Sequence, residues 1–150
     1  MFGDLVRSLE EEDHRILRET VKRFVAEEVA PRAEKIDRDD EFPRDLFSKA
    51  SEIGLTGMLI PEEYGGIGTD AISACIILEE VSKESASFAL SLLAHSILCA
   101  HNIAVNGNEE QKQKYLPRLA SGEIIGAMAI TEPGAGSDAA GIITRAQRCV

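Results

Sequence analysis

The residues best suited to binding chemistry form a glycine-rich loop near the C-terminal end of the sequence. Gly134, Gly136 and Ala139 have the spacing G-x-G-x-x-A, which occurs in loops that bind dinucleotides. Glycines let backbone N–H groups approach a phosphate closely, and Ser137 adds a hydroxyl donor. The spacing alone leaves three alternatives open: a plain turn, another phosphate or cofactor loop, or the loop of a nicotinamide-binding Rossmann domain.

Other reactive residue types have weaker cases. His95 and Cys99 are four positions apart and share a helix face, but two further ligands are missing, so we predict core packing and no metal site. The acid pairs Glu62–Glu63 and Glu79–Glu80 do not converge on a regular element, so we expect them on solvated faces. His14 is expected in a charged, solvated turn.

The composition indicates an ordinary globular domain. The 150 residues are 44% hydrophobic and 28% charged. The 26 acidic and 16 basic residues give a net charge of −10, which disfavours nucleic acid as a partner. Cys75, Cys99 and Cys149 do not form a disulfide framework, so we expect a reducing compartment, cytoplasmic or an equivalent matrix. The first residues lack the apolar run of a secretory signal.

Helix signals occur from the N-terminus to Gly122. The first helix is predicted to begin at Ser8, with a capping box to Glu11, and later helices at Pro43, at Thr69 or Asp70, and at Asn108. The predicted buried positions of the first and third helices are Ile16, Leu17, Val21, Phe24, Val25, Val29, Ala71, Ala74, Cys75, Leu78 and Val81. The stretch 85–108 has no charged residue, but its serines and histidines are costly in lipid, so we predict a buried helix and no membrane span.

The pattern changes after Gly122. Residues 124–131 are apolar without helical spacing and predict a buried strand, and residues 141–150 alternate weakly, as a second strand would. The fold class is therefore predicted as mainly α: a helical domain, residues 1–122, followed by the start of a β domain, residues 123–150. A sheet of two strands is only marginally stable, so we expect the chain to be the N-terminal part of a longer protein.

Three segments carry a resemblance to the acyl-CoA dehydrogenase family. AMAITEPGAGSD (127–138) resembles the signature of that family, and PEEYGGIG (61–68) is similar to the loop between its early helices. Residues 94–99 and 106–130 are similar to its central helices and to its entry into the β domain. The resemblance covers nearly the whole chain in order and is nearest to the enzymes of short and branched acyl chains.

The resemblance implies a site for FAD along residues 128–137. It places Met128 beside the flavin, with the backbone of Ile130 and Thr131 and the Thr131 hydroxyl on the isoalloxazine ring. It places Gly136 and Ser137 near the FAD phosphates, and Ser137 also on the acyl-CoA substrate. The positions that match the acyl pocket of the family are Ala94, His95 and Leu98, although core packing explains each of them equally well.

The reaction that the resemblance implies is α,β-dehydrogenation of an acyl-CoA thioester in fatty acid or amino acid catabolism. A glutamate removes the α proton, the β hydrogen goes to flavin N5 as hydride, and electrons pass to an electron-transferring flavoprotein. Family members usually form tetramers, and their glutamate lies in a C-terminal helical bundle. We therefore expect no catalytic residue within residues 1–150, and neither activity nor retained FAD in this chain alone.

Two alternatives stay open at this point. The chain could be a non-catalytic helical module that binds acyl-CoA or a protein partner along an apolar groove at residues 85–106. Alternatively, residues 124–150 could open a Rossmann domain, which requires a helix directly after Ser137.

Overall fold

Helices occupy the region in which the end signals and the apolar spacing predict them. The computed structural model describes residues 11–147. Its main helices are α1 (Glu12–Phe24), α2 (Ala33–Asp39), α3 (Arg44–Glu52), α4 (Ala71–Glu84), α5 (Ala86–Asn106) and α6 (Glu109–Ala120). A π-helical turn, Val25–Val29, and a 3-10 turn, Ala30–Arg32, connect α1 to α2. The predicted mainly α fold is confirmed.

Short polar side chains cap the helices that position the later elements. The Asp70 carboxylate accepts from the Ser73 N–H at 2.7 Å at the start of α4. Asn108 and Gln111 form a reciprocal capping box at the start of α6. Ser8 lies outside the described residues. The N-cap of α1 is Glu11, so the predicted capping box between Ser8 and Glu11 is not the start of this helix.

The core has two parts that meet along α5. In the larger part, α1 packs on α4, and α4 packs on the first half of α5. Its fully buried large side chains include Leu46, Phe47, Ile77, Phe88 and Leu92. Each such side chain contributes about 1.5–3 kcal/mol by leaving water. The smaller part joins α6 to the second half of α5 through Ala100, Leu116 and Leu119.

Two charged or titratable side chains that were expected in solvent are buried. Glu80 is 4% exposed and forms an ion pair with Arg18, which is 7% exposed. His14 is also buried, and its Nε2 donates to the Asp70 carboxylate at 3.0 Å. Both predictions were wrong because the partners lie about 60 positions away and only the packing of α1 on α4 brings them together.

Three apolar predictions on the same helices were also wrong. Ile16 is 58% exposed, although Val21, Phe24 and Val29 of the same predicted stripe are buried. Cys75 is an exposed free thiol, and Ala71, in the first turn of α4, is exposed as well. The buried face of α4 is centred on Ala74, Ile77 and Val81, with Ile76 included, so the face is rotated away from Cys75. The position at which α1 packs on α4 determines which face of α4 is buried.

The glycine-rich loop after the 3-10 turn Leu55–Gly57 folds back on the chain that precedes it. The Gly68 N–H donates to the Ile60 carbonyl at 2.9 Å. A Cβ at Gly66 would lie 2.0 Å from that same carbonyl oxygen, so only glycine fits there. The Tyr64 hydroxyl donates to the Glu109 carboxylate at 3.0 Å, which fixes this loop to the start of α6.

The predicted strands are not formed among residues 11–147. Residues 124–131 make no ladder, and β pairing in the described part of the chain is limited to one isolated bridge between Glu132 and Ala135. Residues 141–147 are also irregular beyond a short 3-10 turn, and residues 148–150 lie outside the described range. A strand needs a neighbour for its N–H and C=O groups, and residues 11–147 supply none. The domain boundary at residues 122 and 123 stays a prediction.

By length and composition, α5 could cross a membrane, with a mean hydropathy of 1.6 in its most apolar window. A core helix of a globular domain has the same composition. In this structure α5 packs against α4 and α6, and it carries the buried side chains Phe88, Leu92 and His95. The packing favours a core helix, and the absence of a membrane span stays a prediction.

Candidate functional site

The loop at residues 132–138 begins with a tight turn. The backbones of Glu132 and Ala135 exchange hydrogen bonds of 2.9 and 3.1 Å, with Pro133 and Gly134 at the tip of the turn. The Glu132 carboxylate accepts from the Ile143 N–H at 3.0 Å and from the Thr144 N–H at 2.7 Å. These N–H groups hold the pKa of Glu132 below its ordinary value, so the carboxylate is charged and fastens the following segment to the loop.

The glycines of this loop leave its backbone accessible. A Cβ at Gly134 or at Gly136 would meet no heavy atom within 4 Å, and neither residue has a positive φ. Neither the backbone angles nor the packing therefore requires glycine there. Within residues 11–147, no hydrogen bond uses the N–H groups of Gly134, Gly136 or Ser137. The loop thus has backbone and hydroxyl donors free for an anionic or polar ligand.

The residues predicted to contact a flavin lie just before this loop and within it. Ile130, Thr131, Gly136 and Ser137 are exposed, and Met128 is half-buried. The Rossmann alternative is wrong, because Ser137 is followed by only a three-residue 3-10 turn, Ala139–Gly141, and not by an α-helix. A dinucleotide loop of that class requires the helix to hold the pyrophosphate.

The residues predicted to line an acyl pocket lie in a π-helical part of α5, Ala94–His101. They do not share one environment. Leu98 is exposed and Ala94 is half-buried, but His95 is completely buried. His95 therefore belongs to the core of this chain, whereas Ala94 and Leu98 are accessible to a ligand. Their location also fits a functional role, because a π-helical stretch inside an α-helix often marks a functional position.

His95 makes two hydrogen bonds that fix its tautomer. Its Nε2 lies 3.1 Å from the Leu119 carbonyl oxygen, and its Nδ1 lies 2.9 Å from the Gly126 nitrogen. A carbonyl accepts and an N–H donates, so Nε2 carries the proton and Nδ1 is the acceptor. Burial lowers the pKa of His95, while its backbone contacts only partly oppose this, and the ring stays neutral.

We expect His95 to make the stability of the chain depend on pH. Because its pKa is lowered in the folded chain, the unfolded chain binds more protons once the pH falls below about 6.5. The free energy of unfolding should then fall by at most about 1.4 kcal/mol per pH unit. Urea unfolding between about pH 8 and pH 5 measures this slope.

His95→Gln is the control for this prediction, since its amide does not titrate. The pKa values of carboxyl groups such as Asp70 are lowered in the folded chain, so these groups change the stability only in a separate and more acidic pH range. An equal slope in both proteins above about pH 5 would contradict the prediction.

Gly126 was not predicted as a functional residue. A Cβ there would lie 2.6 Å from Cys99 Sγ, so only glycine allows the chain to pass this close to α5. A glycine inside the apolar run 124–131 was the available signal, since such a glycine often marks a close backbone approach. His95 and Cys99 share the face that contacts Gly126. In the described part of the chain, no group of three His, Cys, Asp or Glu residues could hold a metal ion.

Comparisons with known proteins agree with this arrangement. Residues 11–123 match the family model described as acyl-CoA dehydrogenase, N-terminal domain. The mitochondrial isovaleryl-CoA dehydrogenase of Solanum tuberosum is 47% identical over 133 residues, which are 87% of this chain and 32% of that protein. The chain thus spans about a third of the length of the curated relatives it matches.

Solved structures share the fold. An acyl-CoA dehydrogenase complexed with FAD from Bacillus anthracis has a TM-score of 0.83 and 42% identity, over 90% of this chain and 23% of that chain. A chain from the structure of the electron transferring flavoprotein of Acidaminococcus fermentans also has a TM-score of 0.83, with 39% identity, over 88% of this chain and 35% of that chain. The family model alone covers well over half of the sequence. The chain belongs to the acyl-CoA dehydrogenase family, with residues 11–123 matching the N-terminal domain of that family.

Proposed function

We propose that this chain is the N-terminal part of an FAD-dependent acyl-CoA dehydrogenase that introduces an α,β double bond into a short or branched acyl-CoA thioester. The observation that supports this most directly is the open loop at 132–138, with free N–H groups at Gly134, Gly136 and Ser137, inside a chain of this family. The catalytic base belongs to the part of the protein that follows this chain.

The donors of this stretch fit FAD. A flavin needs fixed donors at its polar ring edge, and its pyrophosphate needs N–H groups without side-chain obstruction. In the proposed arrangement Met128 lies beside the flavin, the Ile130 and Thr131 backbones and the Thr131 hydroxyl bind its ring, and Gly136 and Ser137 bind its phosphates. When bound, FAD supplies the oxidation by taking up a hydride from the acyl chain.

The proposed substrate contacts lie on two elements. Ser137 contacts the thioester, and Ala94 and Leu98 on α5 contact the acyl chain. Leu90 and Val105 of the same helix are 64% and 62% exposed, and we attribute this apolar surface to contacts with the rest of the enzyme. A branched acyl chain is the first choice of substrate because the relative from Solanum tuberosum is an isovaleryl-CoA dehydrogenase.

The proposed partners and compartment follow from the same relatives. An electron transferring flavoprotein is the proposed electron acceptor, since one of the matched structures describes such a flavoprotein. The exposed thiol of Cys75 and the unpaired Cys99 suit a reducing intracellular compartment. We also propose that the full-length protein assembles as a homotetramer.

Thr131→Val and Ser137→Ala in the full-length protein test the cofactor site. Each removes one hydroxyl from the proposed FAD contacts, so flavin affinity should fall by about two- to tenfold. For Ser137→Ala the KM for acyl-CoA should rise as well. Flavin content after gel filtration and the flavin dissociation constant are the measurements.

Thr20→Val and Ser48→Ala are matched controls away from the loop, on α1 and α3. Both controls should keep the flavin affinity of the unchanged protein. If all four variants bind flavin and turn over substrate equally, the cofactor assignment fails. The alternative of a helical module that binds acyl-CoA without flavin would be favoured if the unchanged full-length protein bound acyl-CoA but no flavin.

A further inference from the structure

The proposed flavin-binding stretch is attached to the helical domain at Gly126. The chain leaves α6, and the Ile124 N–H donates to the Arg118 carbonyl at 3.2 Å. The Gly126 N–H then donates to His95 Nδ1 at 2.9 Å. From residue 127 to residue 131 no hydrogen bond occurs in the part of the chain that the structure describes. Gly126 is therefore the last fixed point before Met128 and Thr131.

The His95 ring is itself held on several sides. Its Nε2 donates to the Leu119 carbonyl in the last turn of α6, where carbonyls lack helical partners. The Phe47 ring packs edge-on at a centroid distance of 4.9 Å. The ring therefore has one position and one tautomer, and it offers a directed acceptor to the Gly126 N–H.

Neighbouring side chains fix the helices around His95. The Ser96 hydroxyl donates to the Thr56 carbonyl at 3.0 Å, and the Thr56 hydroxyl donates to the Ala120 carbonyl at 2.7 Å. All of these groups are buried. Buried and fully satisfied polar networks make a local structure rigid and unique. The network connects α5, the end of α6 and the 3-10 turn Leu55–Gly57 at one point.

Close packing adds a second contact at the same place. A Cβ on Gly126 would lie 2.6 Å from Cys99 Sγ and 3.2 Å from Leu119 Cδ2. The segment therefore touches α5 with its backbone, with no room for a side chain to separate them. The hydrogen bond and the packing contact both act on residue 126, two positions before Met128.

We propose that His95 is a positioning residue for the flavin-binding stretch. Its neutral Nδ1 accepts from the Gly126 N–H and thereby sets the direction in which Met128, Ile130 and Thr131 leave the helical domain. His95 acts through the backbone and does not touch the flavin or the acyl chain. This inference rests on the proposed function, because it presupposes that this stretch binds FAD.

His95→Asn and His95→Gln in the full-length protein separate the two hydrogen bonds of His95. The asparagine oxygen lies near the position of Nδ1 and can still accept from Gly126, whereas the glutamine amide lies near the position of Nε2 and can still donate to Leu119. We expect flavin affinity within about twofold of the unchanged protein for His95→Asn and a loss of about three- to tenfold for His95→Gln. A residue with a purely structural role would give no such order.

The test also distinguishes this inference from the proposed function. If the unchanged full-length protein binds no flavin, the proposed function fails. If that protein binds flavin and Thr131→Val weakens it, but the two His95 variants have equal affinity or the reverse order, only the His95 inference fails. Ser96→Ala, which removes a buried hydroxyl of the same network without touching Gly126, should keep the flavin affinity.

A second measurement requires no substitution. In the unchanged protein without flavin, amide hydrogen exchange should be slowest at Gly126 among residues 126–131. Exchange at Gly126 that is as fast as at Ala127 and Ala129 would overturn the proposal even if a variant failed to fold.

Discussion

Replacing Arg18 with methionine is expected to lower the free energy of unfolding of this chain by about 3 kcal/mol. Arg18 is a buried residue of α1, and its guanidinium binds Glu80 of α4 and donates to Glu79 of α4 at 2.8 Å. Burial raises the pKa of Glu80, but Lys83 and Arg18 outweigh burial and keep the net pKa below its ordinary value. The variant would leave a buried carboxylate with Lys83 as its remaining cation, 2.7 Å away.

Arg15→Met provides the control on the same helix. Arg15 is exposed, and its ion pair with Glu12 is 3.5 Å long, so its loss should cost at most about 1 kcal/mol. The double variant Arg18→Met/Glu80→Leu should recover much of the loss, because an apolar pair can replace a buried ion pair. Equal unfolding midpoints in urea for Arg18→Met and Arg15→Met would show that the buried pair does not hold α1 on α4.

The second large effect concerns activity. The purified 150-residue chain should neither bind FAD nor reduce a dye with isovaleryl-CoA, whereas the full-length protein should do both. The proposed contacts at Ile130, Thr131, Gly136 and Ser137 are exposed on this chain, so a flavin would meet protein on one side only. A cofactor that is enclosed on one side loses much of the surface burial that its affinity needs.

The measurement is the flavin absorbance of the chain after gel filtration, followed by the dye assay at saturating isovaleryl-CoA. Turnover by the chain alone would contradict the account, because the base that the reaction needs is assigned to a later part of the protein. The full-length protein, assayed in parallel, is the control for substrate and dye quality.

Local signals in the sequence predicted the helical part of this fold well. Asn108 caps α6 as expected, and of the two caps predicted for α4, Thr69 and Asp70, it is Asp70 that caps the helix. Such caps are predictable because they depend on residues three positions apart. Glu80 and His14 were placed wrongly because their partners, Arg18 and Asp70, are distant in the sequence. The spacing of apolar residues along a single helix does not predict such a contact between two helices.

The candidate site was less predictable than the helices. Residues 124–131 have the apolar character of a strand, but a strand forms only where a neighbour pairs with it. His95 had two equal explanations in the sequence, and its bond to Gly126 became visible only when α5, α6 and the following segment were placed together. The roles of Thr131 and Ser137 stay predictions that rest on family membership and on an open loop.

The most direct test is an anaerobic absorbance spectrum of the purified full-length protein before and after addition of isovaleryl-CoA. We predict the bands of an oxidised flavin, which bleach when the substrate is added and return when an electron-transferring flavoprotein or a dye accepts the electrons. A full-length protein that shows no flavin bands, or flavin bands unchanged by every short and branched acyl-CoA, would contradict the proposed function.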